Sequence, residues 1–244
     1  MKLIDFSSNT ISALLDTEVI MSQLYGIVGS IGSGKDTAAR YLADARGWKR
    51  LSFAGPLKDA VSMIFGWPRD FLEGHTDQSR YWRDQVDPWW AHRLGLPDLT
   101  PRWVLQYLGT NVLRNHFHTD IWIAATERQV AASLNSGVNV VISDCRFANE
   151  LQMIRDQGGK LIEIRRGASA DTLPWAVCAQ RQNLASASEL ADLKQQGQVM
   201  EVRYPEVHPS EWSWVGLPVD QVIDNSGTVE QLHRVLDSFV ANNR

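Results

Sequence analysis

The sequence predicts an α/β fold built on a central parallel five-stranded sheet in three layers, and three observations carry the prediction. Apolar runs of strand length alternate with stretches of helical periodicity along most of the chain. Two runs, residues 24–28 and 138–143, are apolar almost throughout, as strands covered on both faces must be. Each of these ends abruptly in polar sequence that opens a helical stretch, so their tips bring chemistry-bearing side chains to one edge of the sheet.

Composition sets the limits. With 244 residues, 44% of them hydrophobic, the chain can bury a full core as one domain. A net charge of -4 and a pI near 5.9 argue against nucleic acid held by bulk electrostatics, while leaving a local basic cleft open. Cys145 and Cys178 are too few for a disulfide framework, which suits a reducing compartment, and cytoplasm is the expected location. No apolar run reaches membrane-spanning length, and the opening residues lack the apolar core of a secretory signal. Of ten tryptophans, Trp82, Trp89, Trp90 and Trp103 crowd one short span, where packing a small subdomain explains them better than stacking on bases. A homodimer through an exposed aromatic surface is the oligomer this composition suggests.

In chain order, residues 1–23 form an N-terminal extension, with a short helix expected around Ile11, Leu14 and Leu15. The strand 24–28 empties into Gly29-Ser-Ile-Gly-Ser-Gly-Lys-Asp-Thr37, then a helix that stops at Gly47. Glycine-rich turns of this kind aim several backbone N–H groups at one point, and the lysine adds a mobile charge, so the loop reads as a phosphate cradle. Against the pattern G-x-x-x-x-G-K-[ST], Gly29, Gly34 and Lys35 fall in place, but Asp36 stands where the hydroxyl belongs and Thr37 comes one residue late. A second strand is expected over 49–54, then a helix over 57–65 with Pro56 near its start. From Gly66 to Pro101 periodicity is weak and Trp, Asp, Arg and Pro are frequent, which suggests a loop-heavy insertion. Helices are expected over 102–117 and 121–134, a strand over 138–143, a helix to Gln157 and a strand over 160–165. The polar, Pro- and Trp-containing stretch 167–218 reads as a second excursion, before a last strand at 221–224 and a helix near 229–240.

Ligands of open parallel sheets sit beyond the carboxyl ends of the strands. The glycine loop, Lys58, and the pair Asp144 and Arg146 all fall at such ends and look like one site. Asp144 at a strand tip suits Mg²⁺ beside bound phosphates, with a helix N-cap as the plainer alternative. Arg102, Arg114, Arg146, Arg165, Arg166 and Arg181 are candidates for neutralising phosphate, Arg146 foremost through its spacing from Asp144 and Arg102 second.

As a set, Gly32-Ser-Gly-Lys-Asp-Thr37, Phe53-Ala-Gly-Pro-Leu-Lys-Asp-Ala60, Arg102-x-x-x-Gln-Tyr-Leu-Gly-Thr110, Asp120-x-Trp122 and Asp144-x-Arg146 resemble the phage-type deoxynucleoside monophosphate kinases. Ile223-Asp-Asn-Ser-Gly-Thr228 is similar to that family's final strand and turn, and Asp36-Thr37 is its own form of the loop. The resemblance implies a P-loop kinase fold with an acceptor-binding insertion at 66–118 and a lid-like insertion at 167–218. It implies that Gly29, Gly32, Ser33, Gly34, Lys35, Asp36 and Thr37 surround phosphates, and that Lys35, Asp144 and Arg146 serve catalysis. Thr37 and Asp144 would face the metal, and Asp36 the metal or the acceptor nucleotide. Lys58, Arg102, Gln106, Gly109, Thr110, Trp122, Arg146 and Glu150 would form the acceptor pocket, with Gln106 reading the base. The implied reaction moves phosphate from ATP, with Mg²⁺, to a deoxynucleoside monophosphate. A kinase of another phosphorylated metabolite such as dephospho-coenzyme A shares the loop but does not require the Leu108-Gly-Thr110 block; a non-catalytic nucleotide-binding module is the alternative of a different class. The stretch His208-Pro-Ser-Glu-Trp-Ser-Trp214 departs from the family pattern.

Overall fold

A computed structural model describes residues 22–167 and 173–243. The helix expected around Ile11, Leu14 and Leu15 lies outside these residues.

Five strands form one sheet with every neighbouring pair parallel: β1 (Leu24–Val28), β2 (Lys49–Leu51), β3 (Val140–Ile142), β4 (Lys160–Arg165) and β5 (Gln221–Asp224), in the order β2-β3-β1-β4-β5. Strand pleating divides the apolar residues between two faces. Leu24 and Val28 of β1, with Val140, Ile142 and Leu161, pack beneath the helices Ile121–Asn135, Ala148–Asp156 and Pro174–Leu184. Tyr25, Ile27, Val141, Ile162 and Ile164 turn the other way, onto the helices Lys35–Arg46 and Val229–Ala241. Both faces are covered, which is why these strands are apolar on consecutive residues. Ile27, Val28, Ile142, Ile162 and Ile164 are wholly buried, each contributing roughly 2 kcal/mol of transfer free energy.

β1 lies between β3 and β4, with Gly26 opposite Ile142 on one side and Leu161 on the other. The loops leaving β1 and β3 are therefore neighbours, and residues 29–34 face 143–147 across the sheet's carboxyl edge.

The strand expected over 138–143 is shorter, Val140–Ile142, and the structure departs further from the sequence expectations in three places. β2 ends at Leu51 rather than Ala54, because the backbone N–H groups of Phe53 and Ala54 leave the ladder and donate to the Asp144 carboxylate at 3.0 and 3.2 Å. The span 66–101 is helical rather than loop-heavy: Arg69–Glu73, Asp77–Arg83 and Pro88–Leu94 are short helices, the second and third capped by Thr76 and Asp87. They enclose an apolar cluster of their own, with Trp67, Leu72, Ala91 and Leu99 buried against Leu57, Val61 and Trp122. Trp67 donates its indole N–H to Asp87 and Trp90 donates to the Phe65 carbonyl; of the tryptophan crowd, Trp82 and Trp90 pack on this subdomain core while Trp89 and Trp103 are exposed. Finally, the helix expected over 102–117 is two: an α-helix at Pro101–Gln106 continues as a π-helix at Tyr107–Phe117.

Candidate functional site

The glycine loop is fixed from two sides. Gly29 has φ 146°, and a Cβ there would lie 2.3 Å from the Ile164 carbonyl oxygen. Gly34, with φ 104°, starts the Lys35–Arg46 helix, and a Cβ there would meet the Asn225 amide nitrogen at 2.3 Å. That amide donates to the Ser33 carbonyl at 2.8 Å, so the turn after β5 clamps the loop after β1. Lys35 folds back over the loop, its Nζ donating to the carbonyls of Gly29 at 2.6 Å and Ser30 at 2.7 Å. Burial, then the charge of Arg146, pulls its ammonium below the ordinary lysine value. Asp36 and Thr37 are exposed on the first turn of the helix. Asp36 pairs with Arg50 and accepts from the Ser143 hydroxyl at 3.1 Å.

Asp144 follows β3. Its two carboxylate oxygens take the N–H groups of Phe53 and Ala54 at the entry to the Gly55–Phe65 helix, and burial raises its carboxyl above the usual range against the pull of those bonds. It does not cap the helix that follows it, which begins at Ala148 after Phe147. Glu150 on that helix is 3% exposed. Its Oε2 accepts from the backbone N–H groups of Arg146 at 2.8 Å and Phe147 at 3.2 Å. Burial and the Asp144 charge push its carboxyl up to about 7.

Gln106, Gly109, Thr110, Trp122, Asp144, Arg146 and Glu150 line one cleft of about 300 Å³. Trp122 donates its indole N–H to the Gly109 carbonyl at 2.9 Å, and Gly109 lets the π-helix lie against Leu57, whose Cδ2 would be 2.6 Å from a Cβ. Both residues therefore shape the wall, while Gln106 and Thr110 are open to the cleft. Arg102 and Lys58 do not line it: Arg102 pairs with Asp84, and Lys58 with Glu73 at 2.6 Å. Arg165 bonds Glu163 at 2.6 Å and Arg181 bonds Gln198 at 2.9 Å, and neither reaches this cleft.

Sequence reasoning missed several of the walls. Phe53, Ala54, Leu57, Leu105, Phe147, His208 and Ser210 complete the lining, together with Arg114, which lay among the arginine candidates without a role. Arg114 lies over the Phe147 ring, 5.3 Å from its centroid, and 3.9 Å from Glu150. The helical spacing Gln106, Thr110, Arg114 was the signal available for it; nothing local announced Ser210, which comes from a segment sixty residues past Arg146.

A bent glycine-rich loop with a lysine, set beside an aspartate, an arginine and an open cleft, has the groups that moving a phosphoryl group between two bound partners requires. Known proteins agree. The sequence profile described as deoxynucleotide monophosphate kinase matches residues 97–172. A protein of Acanthamoeba polyphaga mimivirus named as a deoxynucleotide monophosphate kinase is 36% identical over 170 residues, covering 63% of this chain and 80% of its own. The deoxynucleoside-5'-monophosphate kinase of Escherichia phage T5 is 28% identical over 187 residues, covering 56% of this chain and 73% of its own. A solved dephospho-CoA kinase from Campylobacter jejuni aligns over 91% of this chain and 97% of its own at 16% identity and a TM-score of 0.41, too distant to speak to the acceptor. The chain belongs to the deoxynucleotide monophosphate kinase family.

Proposed function

We propose that this chain transfers a phosphoryl group from ATP to a deoxynucleoside monophosphate, releasing ADP and the deoxynucleoside diphosphate. The observation that carries the reading is the meeting, at one sheet edge, of the Lys35 loop with the Asp144 and Arg146 corner of an open cleft, in a member of this kinase family. The glycine loop wraps the donor phosphates with its backbone N–H groups. Lys35 exchanges its carbonyl partners for phosphate oxygens, and Arg146 faces the transferring group from the cleft. Gln106 reads the acceptor base beside the wall formed by Gly109 and Trp122, and Thr110 adds a hydroxyl to that wall. Glu150 holds the Arg146–Phe147 corner through two backbone bonds. Residues 66–118 form the acceptor-binding region, with Arg102 and Lys58 at its margin, and His208 and Ser210 bring the second insertion to the cleft.

The oxygen donors suit Mg²⁺. Among the described residues no group of three or more His, Cys, Asp or Glu converges into a cage, and Mg²⁺ beside nucleotides is typically held by one or two protein oxygens plus phosphates and water. Thr37 offers an exposed hydroxyl and Asp144 a carboxylate oriented by two backbone donors; Asp36 is engaged by Arg50 and Ser143. When bound, Mg²⁺ neutralises charge on the donor phosphate oxygens. The acceptor phosphate is already an anion at neutral pH, so no general base is required.

ADP release, measured with ATP alone and with each of the four common deoxynucleoside monophosphates, tests the reading. At least one is expected to stimulate release, and Lys35→Ala is expected to abolish the stimulation while leaving the melting temperature near that of the wild type. Stimulation by dephospho-coenzyme A and by none of the deoxynucleotides overturns the assignment.

A further inference from the structure

The stretch His208-Pro-Ser-Glu-Trp-Ser-Trp214 has a structural logic that the family resemblance does not supply. Pro209 opens a short helix, Pro209–Trp212, entered through His208, whose Nδ1 accepts the Ser210 N–H at 3.2 Å. Trp212 and Trp214 are buried in the main core, and the Asn183 side-chain amide donates to the carbonyls of Trp212 and Val215, both at 2.9 Å. The far end of the stretch is thus anchored, and the near end presents Ser210 and Glu211 to the strand-tip arginine. Arg146 Nη1 donates to Ser210 Oγ at 2.9 Å and to Glu211 Oε1 at 3.0 Å.

A guanidinium carries five N–H donors in a rigid plane, two on each terminal nitrogen and one on Nε. Ser210 and Glu211 occupy both hydrogens of Nη1. Among the described residues, Nε and Nη2 of Arg146 have no hydrogen-bond acceptor, and the residue lines the cleft. That remaining edge is the pair of parallel donors that grips a phosphate through two oxygens. Arg146 and Lys35 also repel each other, and the Glu211 charge acts on Lys35 in the opposite sense, so one carboxylate steadies both cations.

We propose that Ser210 and Glu211 are positioning residues for Arg146, holding one nitrogen of its guanidinium so that the free edge is presented to the transferring phosphate. The inference rests on the kinase reading above and adds a residue pair to it. Steady-state kinetics of Glu211→Ala and Glu211→Gln, with ATP and the best deoxynucleotide acceptor, test it. Glu211→Ala is expected to lower kcat fivefold or more while each KM moves less than threefold, because a displaced arginine is missed most in the transition state. Glu211→Gln keeps an oxygen acceptor and is expected to fall between that variant and the wild type. A fall in kcat of less than fivefold, a KM change of threefold or more, or a Gln variant as slow as the Ala variant overturns the positioning role. A wild-type chain inactive on every deoxynucleotide overturns the kinase reading itself, and the role of Arg146 with it.

Discussion

Replacing Glu150 with Gln is expected to remove a pH-dependent loss of stability. Glu150 is buried, with the Arg146 and Phe147 N–H groups on one oxygen and Arg114 no closer than 3.9 Å to the other. Burial, reinforced by Asp144, raises its carboxyl from 4.5 to about 7. The folded chain therefore binds this proton more tightly than the unfolded chain. The stabilisation is complete below pH 4.5 and is lost as pH rises through about 7. A shift of that size corresponds to about 3 kcal/mol at the alkaline end. Glutamine retains the size and an acceptor oxygen for both N–H groups but cannot ionise. Urea unfolding of wild type and variant at pH 5 and pH 8, in chelator-treated buffer, reads the difference. The variant's stability relative to wild type should be higher at pH 8 than at pH 5 by about 2.5 kcal/mol, since part of the effect is already lost at pH 5. Equal relative stability at the two pH values would refute the reasoning.

Other substitutions probe the remaining parts of the site. Gly34→Ala forces a Cβ into the Asn225 amide at a φ that side chains avoid, so a loss of about 2 kcal/mol in thermal or urea unfolding is expected, together with weakened ATP binding. Trp122→Phe removes the indole bond to the Gly109 carbonyl and should cost about 1 kcal/mol, with the acceptor KM rising more than the ATP KM. Arg102→Ala removes a half-exposed pair with Asp84, so stability should change by less than about 1 kcal/mol. Its acceptor KM should nevertheless rise if the residue at the cleft margin reaches the acceptor on binding, and an unchanged KM would leave Arg102 with no part in acceptor binding.

What the sequence made legible follows from where its signals are local. β1 and β4 pair inside the sheet, and the apolar run of β1, with Leu161, Ile162 and Ile164 of β4, marked both to the residue. The Lys35–Arg46 helix was equally plain, ending at Gly47 in the left-handed conformation. The helices between 66 and 101 were missed because five to seven residues give too few turns for periodicity to register. Two of their caps were in view all the same: Thr76 with Ser79 and Asp87 before Pro88. Nothing local in Tyr107–Phe117 distinguishes a π-helix from an α-helix, and its contacts at Gly109, to Leu57 and Trp122, come from other elements. The strand-tip residues were legible because a parallel sheet gathers its loops at one edge. Their partners were not: Arg50 on Asp36, Asn225 against the glycine loop and Glu211 on Arg146 are set by the tertiary fold, across as many as 192 positions.

Chromatographic identification of the products tests the central claim most directly. With ATP, Mg²⁺ and each deoxynucleoside monophosphate in turn, the chain should convert at least one to its diphosphate, with one ADP formed per diphosphate. ADP appearing without any deoxynucleoside diphosphate, or only alongside a phosphorylated product of another acceptor, would contradict the account.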